Sequence, residues 1–201
     1  MKEQLIQNLI KDGCLKTSPI IEAFQKVDRK DFVPEELKHA AYEDRPLPIG
    51  RGQTISQPRV VAFMLELLEP KQGEVVMDVG SGSGWQSALL AHAVGREGKV
   101  VAIERIPEIY RIGKDNCEKY GFKNIEFIQG DATIAQKEKG YFDKIIVAAA
   151  AKKVPESLKY QLKIGGKMVL PIESSLFLLV KKSEQDYTKK EFPGFLFVPL
   201  I

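Results

Sequence analysis

Histidine is almost absent: the 201 residues contain only His39 and His92. With no HExxH spacing and no Cys/His cluster, a transition-metal centre has no ligand set to draw on. Cysteine is as scarce. Cys14 and Cys117 lie far apart and form no CxxC, which argues against a disulfide framework and fits a reduced compartment. An excess of one charge is missing too, since 30 basic and 27 acidic residues leave a formal charge of +3. The pairs Lys152-Lys153, Lys181-Lys182 and Lys189-Lys190 are therefore read as solvated surface, and no nucleic-acid partner is expected. The longest uninterrupted apolar run, Ile145 to Ala151, is far too short to span a bilayer. The first residues, Met1 to Gln7, carry no apolar signal core. These absences point to the cytoplasm, with no membrane partner. What remains is the composition of a soluble globular chain, 44% hydrophobic and 28% charged, long enough for one domain with a sizeable core.

Residues 1–42 read as helical. Leu5, Ile6, Leu9 and Ile10 share one helix face, and Ile20, Ile21, Phe24 and Val27 share another. Ser18 before Pro19 has the pattern of an N-cap followed by proline at the first helical position. From Glu43 to Pro58 the pattern breaks. Pro46, Pro48, Gly50, Gly52 and Pro58 exclude a regular element there, yet Tyr42, Leu47 and Ile49 make it too apolar for an idle linker. A helix follows, with Val60, Val61, Met64, Leu65 and Leu68 on one face. Short apolar strands then alternate with helices. Strands are expected at 75–77, 99–103, 125–128, 145–148 and 167–170, and helices at 86–94, 107–120 and 155–161. The tail holds two further strands, Leu176 to Lys182 and Phe195 to Pro199, joined by a polar turn and set antiparallel at one edge. The expectation is a single domain over 1–201: N-terminal helices and a loop over 1–70, then a doubly wound, mainly parallel seven-stranded α/β core over 71–201.

The chemistry concentrates at two places. Asp78-Val79-Gly80-Ser81-Gly82-Ser83-Gly84 follows the first core strand and opens a helix, a tight turn where glycine lets backbone approach a ligand. Glu104 ends the next strand twenty residues after Gly84, where a carboxylate could accept hydrogen bonds from both hydroxyls of a ribose. Strand, glycine turn, helix, strand and acid together indicate a nucleoside-containing cofactor. A dinucleotide fingerprint needs a small residue at position 85; Trp85 stands there, which disfavours NAD. The loop instead resembles the GxGxG motif of class I methyltransferases. That resemblance implies S-adenosyl-L-methionine, with S-adenosyl-L-homocysteine as product, Asp78 at the amino-acid end of the cofactor, and Asp131 beside Gly130 and Ala132 near the adenine. Around the cofactor it implies Asp78, Gly80, Ser81, Gly82, Gly84, Glu104, Arg105, Asp131 and Ala132. Asp131 could equally be the N-cap of a short helix.

The second place narrows the family. Gly52-Gln53-Thr54-Ile55-Ser56-Gln57-Pro58 resembles the substrate loop of protein-L-isoaspartate O-methyltransferases. The stretches 27–34, 41–50, 103–108, 155–171 and 197–200 continue the likeness, which spans about residues 25–201. By that resemblance Ser56 is catalytic, bonding the substrate carboxylate, and Thr54, Ile55 and Ser56 bind the substrate. Isoaspartyl-containing proteins and peptides are the implied partners, and a monomer is expected. Ser56 could also serve as N-cap of the helix starting near Gln57, and Ile55 could be core. The chain departs from many relatives at Gln57 and Arg59, where alanine and histidine are common, and at Lys152 and Glu173. Two other readings stay open: a class I methyltransferase for another acceptor, and a non-catalytic homologue. The run Ala148 to Ala151 lacks the NPPY-like tetrapeptide that would favour amine methylation.

Overall fold

The computed structural model describes residues 1–134 and 141–200. The amphipathic periodicity of the first residues becomes two helices. α1 (Lys2–Lys11) buries Leu5, Ile6 and Leu9, and α2 (Ser18–Lys26) buries Ile20, Ala23 and Phe24. The start of α2 differs from expectation: Ser18 is already helical, and Thr17 is the N-cap, its hydroxyl donating to Glu66 and not capping the helix. The Glu66 carboxylate supplies the acceptor from outside, taking the Lys16 and Thr17 N–H groups at 2.7 and 2.9 Å. Two 3-10 turns, Arg29–Phe32 and Glu35–Ala40, lead onward.

The stretch expected to hold no regular element contains a hairpin. β1 (Leu47–Gly50) pairs antiparallel with β2 (Gln53–Ile55). Arg51 and Gly52, at φ 52° and 71°, supply the two left-handed residues of a two-residue hairpin turn. Pro48 is tolerated because a two-stranded ribbon has free edges where a missing N–H breaks no ladder. Leu47, Ile49 and Ile55 turn inward. Helix α3 (Pro58–Leu68) follows, burying Val61, Met64, Leu65 and Leu68.

The rest is the sheet and its helices. In chain order these are β3 (Val75–Val79), α4 (Trp85–Val94), β4 (Lys99–Glu104), α5 (Pro107–Glu118), β5 (Ile125–Gln129), β6 (Phe142–Val147), α6 (Glu156–Gln161), β7 (Leu162–Ile172), β8 (Ser175–Lys181) and β9 (Tyr187–Pro193). Among the described residues the strands pair in the order β5-β4-β3-β6-β7-β8-β9. The first five in that row are mutually parallel, β8 is antiparallel to β7, and β9 is antiparallel to β8. The seven-stranded, mainly parallel sheet with an antiparallel edge is thus the architecture expected. β3 has β4 on one side and β6 on the other, so the chain reverses direction there and opens a crevice at the strands' carboxyl ends.

Two boundaries moved. β6 and β7 begin earlier than expected, with α6 running straight into β7. The ammonium of Lys181, 1% exposed, donates to the Lys159 and Leu162 carbonyls at 3.0 and 2.9 Å and so closes the end of α6. The last strand is Tyr187–Pro193, not Phe195 to Pro199. It is a solvated edge, so its outward residues are polar and its pattern mimics a turn. Lys189 lies 3.9 Å over the Phe177 ring and Lys190 lies 5.0 Å over Phe192. Residues 195–199 instead return to the sheet's carboxyl end, where the Ala150 N–H donates to the Val198 carbonyl and the Leu200 N–H to the Ala150 carbonyl, both at 2.8 Å.

One hydrophobic cluster runs from Leu5, Phe24 and Leu47 through Trp85 and Val100 to Leu176, tying the N-terminal helices to one face of the sheet. A second, with Met77, Ile103, Phe142, Leu158 and Leu170, fills the other face. Among the described residues no helix is long and apolar enough to cross a membrane.

Candidate active site

The crevice beside β3 is floored by the glycine turn. Gly80 and Gly82 sit at φ 74° and 55°, in the left-handed region that favours residues without Cβ. The N–H groups of Gly80 and Ser81 donate to the Ile103 carbonyl at 2.9 and 3.1 Å, so the turn is tied to the end of β4. Gly84 is needed for packing: a Cβ there would meet the Gly113 carbonyl oxygen at 2.6 Å and the Cys117 sulfur at 2.8 Å. Gly113 is equally close, since its own Cβ would fall 2.5 Å from the Gly82 oxygen. Helix α5 thus lies directly against the turn.

Glu104, 7% exposed, is held from both sides. Its Oε2 accepts the Gly82 N–H at 3.1 Å and its Oε1 accepts the Ile106 N–H at 2.9 Å. A carboxylate has lone pairs for more than two donors, so this one keeps acceptor capacity for a ligand. Asp78 is fully buried and turned away. Gln86 Nε2 donates to its Oδ1 at 2.7 Å and Ser87 Oγ to its Oδ2 at 2.5 Å. Burial pushes its pKa up to about 6, assisted by the nearby Glu104 charge, although the Ser87 and Gln86 hydrogen bonds pull the other way. Asp131 accepts from the Thr133 N–H and hydroxyl at 2.8 and 2.7 Å, which, with Arg105 nearby, holds its carboxyl below the usual range.

One cleft brings these groups together with the hairpin. Of the residues singled out in the sequence, Thr54, Ile55, Ser56, Gly80, Ser81, Gly82, Glu104, Arg105, Asp131 and Ala132 line it. Asp78 and Gly84 do not: Asp78 lies beneath the turn, in contact with the lining residue Gln86, and Gly84 packs on α5. Trp85, Ala148, Ala149 and the segment 198–200 line it as well and were not anticipated. Trp85 and the alanines adjoin sequence signals that were read for other reasons. The tail was read as an edge strand and as part of the family likeness, and its return to the cleft depends on where β8 and β9 place it.

The helix start at Pro58 separates Ser56 from a capping role. Gln57 is the N-cap and makes no side-chain cap. Asp44 serves instead, its Oδ1 accepting the Arg59 N–H and its Oδ2 the Arg59 Nε–H, both at 2.9 Å. Ser56 Oγ has no hydrogen-bond partner among the described residues and borders the cleft, while Ile55 is buried.

Two buried polar atoms of the lining, Ser81 Oγ and Trp85 Nε1, also lack partners. Unpaired buried donors are costly, and a polar ligand in the cleft is what would satisfy them. With a near-buried carboxylate and a turn in which Gly80 and Gly82 carry no Cβ, the donor set fits a nucleoside that carries an amino-acid arm. No histidine lines the cleft, and among the described residues no cluster of three His, Cys, Asp or Glu could hold a metal.

Known proteins share this sequence and fold. A family model described as "Protein-L-isoaspartate(D-aspartate) O-methyltransferase (PCMT)" matches residues 1–201. The chain is 47% identical to the protein-L-isoaspartate O-methyltransferase of Ignicoccus hospitalis, over 100% of this chain and 97% of that one. To the enzyme of the same name from Methanothrix thermoacetophila it is 45% identical, covering 100% and 94%. Among solved structures it resembles a Plasmodium falciparum protein assigned to the same methyltransferases and crystallised with S-adenosyl-L-homocysteine. That match has a TM-score of 0.88 at 27% identity and covers 98% of this chain and 97% of the other. By its whole-length family match and its relatives, this chain belongs to the protein-L-isoaspartate(D-aspartate) O-methyltransferase family.

Proposed function

We propose that this chain transfers a methyl group from S-adenosyl-L-methionine to the free α-carboxylate of L-isoaspartyl residues in damaged proteins and peptides, with S-adenosyl-L-homocysteine as the second product. The observation that carries this reading is a single cleft in which the glycine turn and Glu104 face a hairpin bearing an unpartnered Ser56 hydroxyl. Bound there, S-adenosyl-L-methionine supplies an electrophilic sulfonium methyl. Glu104 accepts the ribose hydroxyls, and Gly80, Gly82 and Ser81 form the floor beneath the cofactor. Asp131, Ala132 and Arg105 border the adenine end. Asp78 acts from behind the turn, by orienting Gln86. Gly84 lets α5 close on the turn.

An isoaspartyl α-carboxylate has an ordinary pKa of roughly 3.3–3.9 and is ionised at neutral pH. The chain therefore needs no general base, in keeping with a cleft free of histidine. What it must supply is orientation, which can contribute about 7–11 kcal/mol when the reacting atoms are held in line. It must also exclude water, because a carboxylate and a sulfonium are better solvated apart than in the charge-neutralising transition state. Ser56 donates one positioned hydrogen bond to the acceptor carboxylate, and Thr54 and Ile55 shape the wall beside it. The protein works as one cytoplasmic domain and a monomer, without nucleic-acid or membrane partners. The shared hydrophobic cluster and the near-balanced charge support that reading.

Single-turnover transfer to an isoaspartyl peptide by wild type and Ser56→Ala tests the assignment. A hydrogen bond to a charged group contributes about 1.5–3 kcal/mol, so turnover should fall on the order of 10- to 100-fold. Calorimetry should meanwhile show the affinity for S-adenosyl-L-homocysteine little changed. Full turnover by the variant would remove Ser56 from the mechanism.

A further inference from the structure

Arg29 is 3% exposed, yet it is not paired directly with any carboxylate among the described residues. Its guanidinium spends its donors on backbone carbonyls. Nη1 donates to Ala41 at 2.7 Å and Glu43 at 3.3 Å, and Nη2 to Arg45 at 3.0 Å and Ser56 at 3.1 Å. The same group lies 5.4 Å from the centroid of the Trp85 ring, which lines the cleft beside the glycine turn. Phe24 pins that ring from another direction, edge-on at 5.4 Å. One buried cation therefore touches both halves of the cleft, the residue that bears the Ser56 hydroxyl and the indole wall that opens α4.

A structural role alone does not explain this choice. Keeping a guanidinium under the fold with the Asp44 and Glu43 charges nearby but no carboxylate in direct contact is unfavourable, and its Nε remains unpaired in the interior. Burial draws its pKa down to about 10, so it keeps its charge at neutral pH. Apolar side chains could fill the space with less desolvation. The guanidinium offers a rigid planar fork that spans carbonyls from Ala41 to Ser56 while its charge lies over an aromatic ring. The Ser56 carbonyl is held by this fork, so displacing it shifts the backbone from which Oγ projects.

We propose that Arg29 is a positioning residue for the methyl transfer, fixing Ser56 against the Trp85 wall so that the acceptor carboxylate is held in line. The proposal rests on the assignment of Ser56 above. It concerns orientation and predicts no change in the affinity for the cofactor's product.

Lysine keeps the charge but presents its donors from a single point, so Arg29→Lys cannot hold Ala41 and Ser56 together. A misplacement of about 1 Å can cost on the order of 100-fold in rate. The experiment is a cycle of wild type, R29K, S56A and the double variant. It reads kcat and KM on an isoaspartyl peptide, S-adenosyl-L-homocysteine affinity by calorimetry, and the melting temperature. Expected is a 10- to 100-fold loss of kcat in R29K with product affinity within about threefold of wild type, and a double variant no slower than S56A alone. Losses that multiply in the double variant would mean Arg29 does not act through Ser56 and would overturn the proposal. Wild-type kcat in R29K, with S56A slow, would overturn it and leave the Ser56 assignment intact. Full turnover in S56A would overturn both, which separates the two failures. If R29K does not fold, R29M, which keeps the stem without a buried charge, takes its place in the same cycle.

Discussion

Single residues divide into those whose chemistry follows from local sequence and those whose role is set by neighbours far along the chain. Gly80, Gly82 and Glu104 belong to the first group, because a strand-to-helix turn and a strand end impose their geometry wherever they occur. Asp78 belongs to the second. Its position in the motif pointed toward the ligand, but its orientation is decided by Gln86 and Ser87 on the next helix, which take both of its oxygens. Its folded pKa of about 6 lies above the ordinary 3.8, so the native state holds this proton where the unfolded chain has released it. The contribution of Asp78 to stability therefore falls as pH rises from about 4 to about 6 and is flat above that. The total is on the order of 3 kcal/mol. Asp78→Asn should cancel this slope: urea titrations from pH 4 to 6 should show the variant gaining on wild type as pH rises, and a constant difference would contradict the account. Gly84 gives a plainer prediction. At φ 88°, with the Gly113 oxygen 2.6 Å from a would-be Cβ, Gly84→Ala combines left-handed strain with overpacking. It should cost about 2–5 kcal/mol by urea unfolding.

Elements were legible in proportion to how far their residues face one uniform environment. The buried parallel strands at 75–79 and 99–104 read as continuous apolar runs because both of their faces are covered. β9 faces water along most of its length and reads as a polar turn, so the apolar tail beyond it was taken for the strand. The hairpin of β1 and β2 was hidden differently. The prolines and glycines that argue against a long element are compatible with a short ribbon whose turn residues, Arg51 and Gly52, are both left-handed. The start of α3 shows a third kind of difficulty, since its first-turn N–H is satisfied by Asp44, from a loop before the hairpin. Asp44→Ala should therefore destabilise the protein by about 1–2 kcal/mol through the lost cap, measurable as a lower urea midpoint at unchanged slope. An effect no larger than that of an exposed surface substitution would show that the cap is not Asp44. By contrast, the Arg51–Glu108 pair at the hairpin tip is exposed on both sides, and Glu108→Gln should change stability by no more than about 1 kcal/mol.

At the scale of the whole molecule, alternating strands and helices conveyed the doubly wound sheet, and the glycine turn conveyed where its crevice lies. The closure of that crevice was not legible. It depends on β8 and β9 carrying the chain out and back, so that 198–200 can pair with Ala150 and wall the cleft while Phe195 stacks on Phe63 of α3. Removing the residues after Gly194 leaves every core strand complete, and should lower turnover while keeping the far-ultraviolet circular dichroism of the intact sheet. Loss of the folded spectrum would mean that the tail is part of the core and not a wall of the site. The identity of the acceptor is what defines this enzyme. The measurement that tests it most directly is methyl transfer from labelled S-adenosyl-L-methionine to two peptides that differ only in one isoaspartyl or normal aspartyl linkage. The predicted result is label on the isoaspartyl peptide and none on its partner. Equal labelling of both, or labelling of neither while S-adenosyl-L-homocysteine binds, would contradict it.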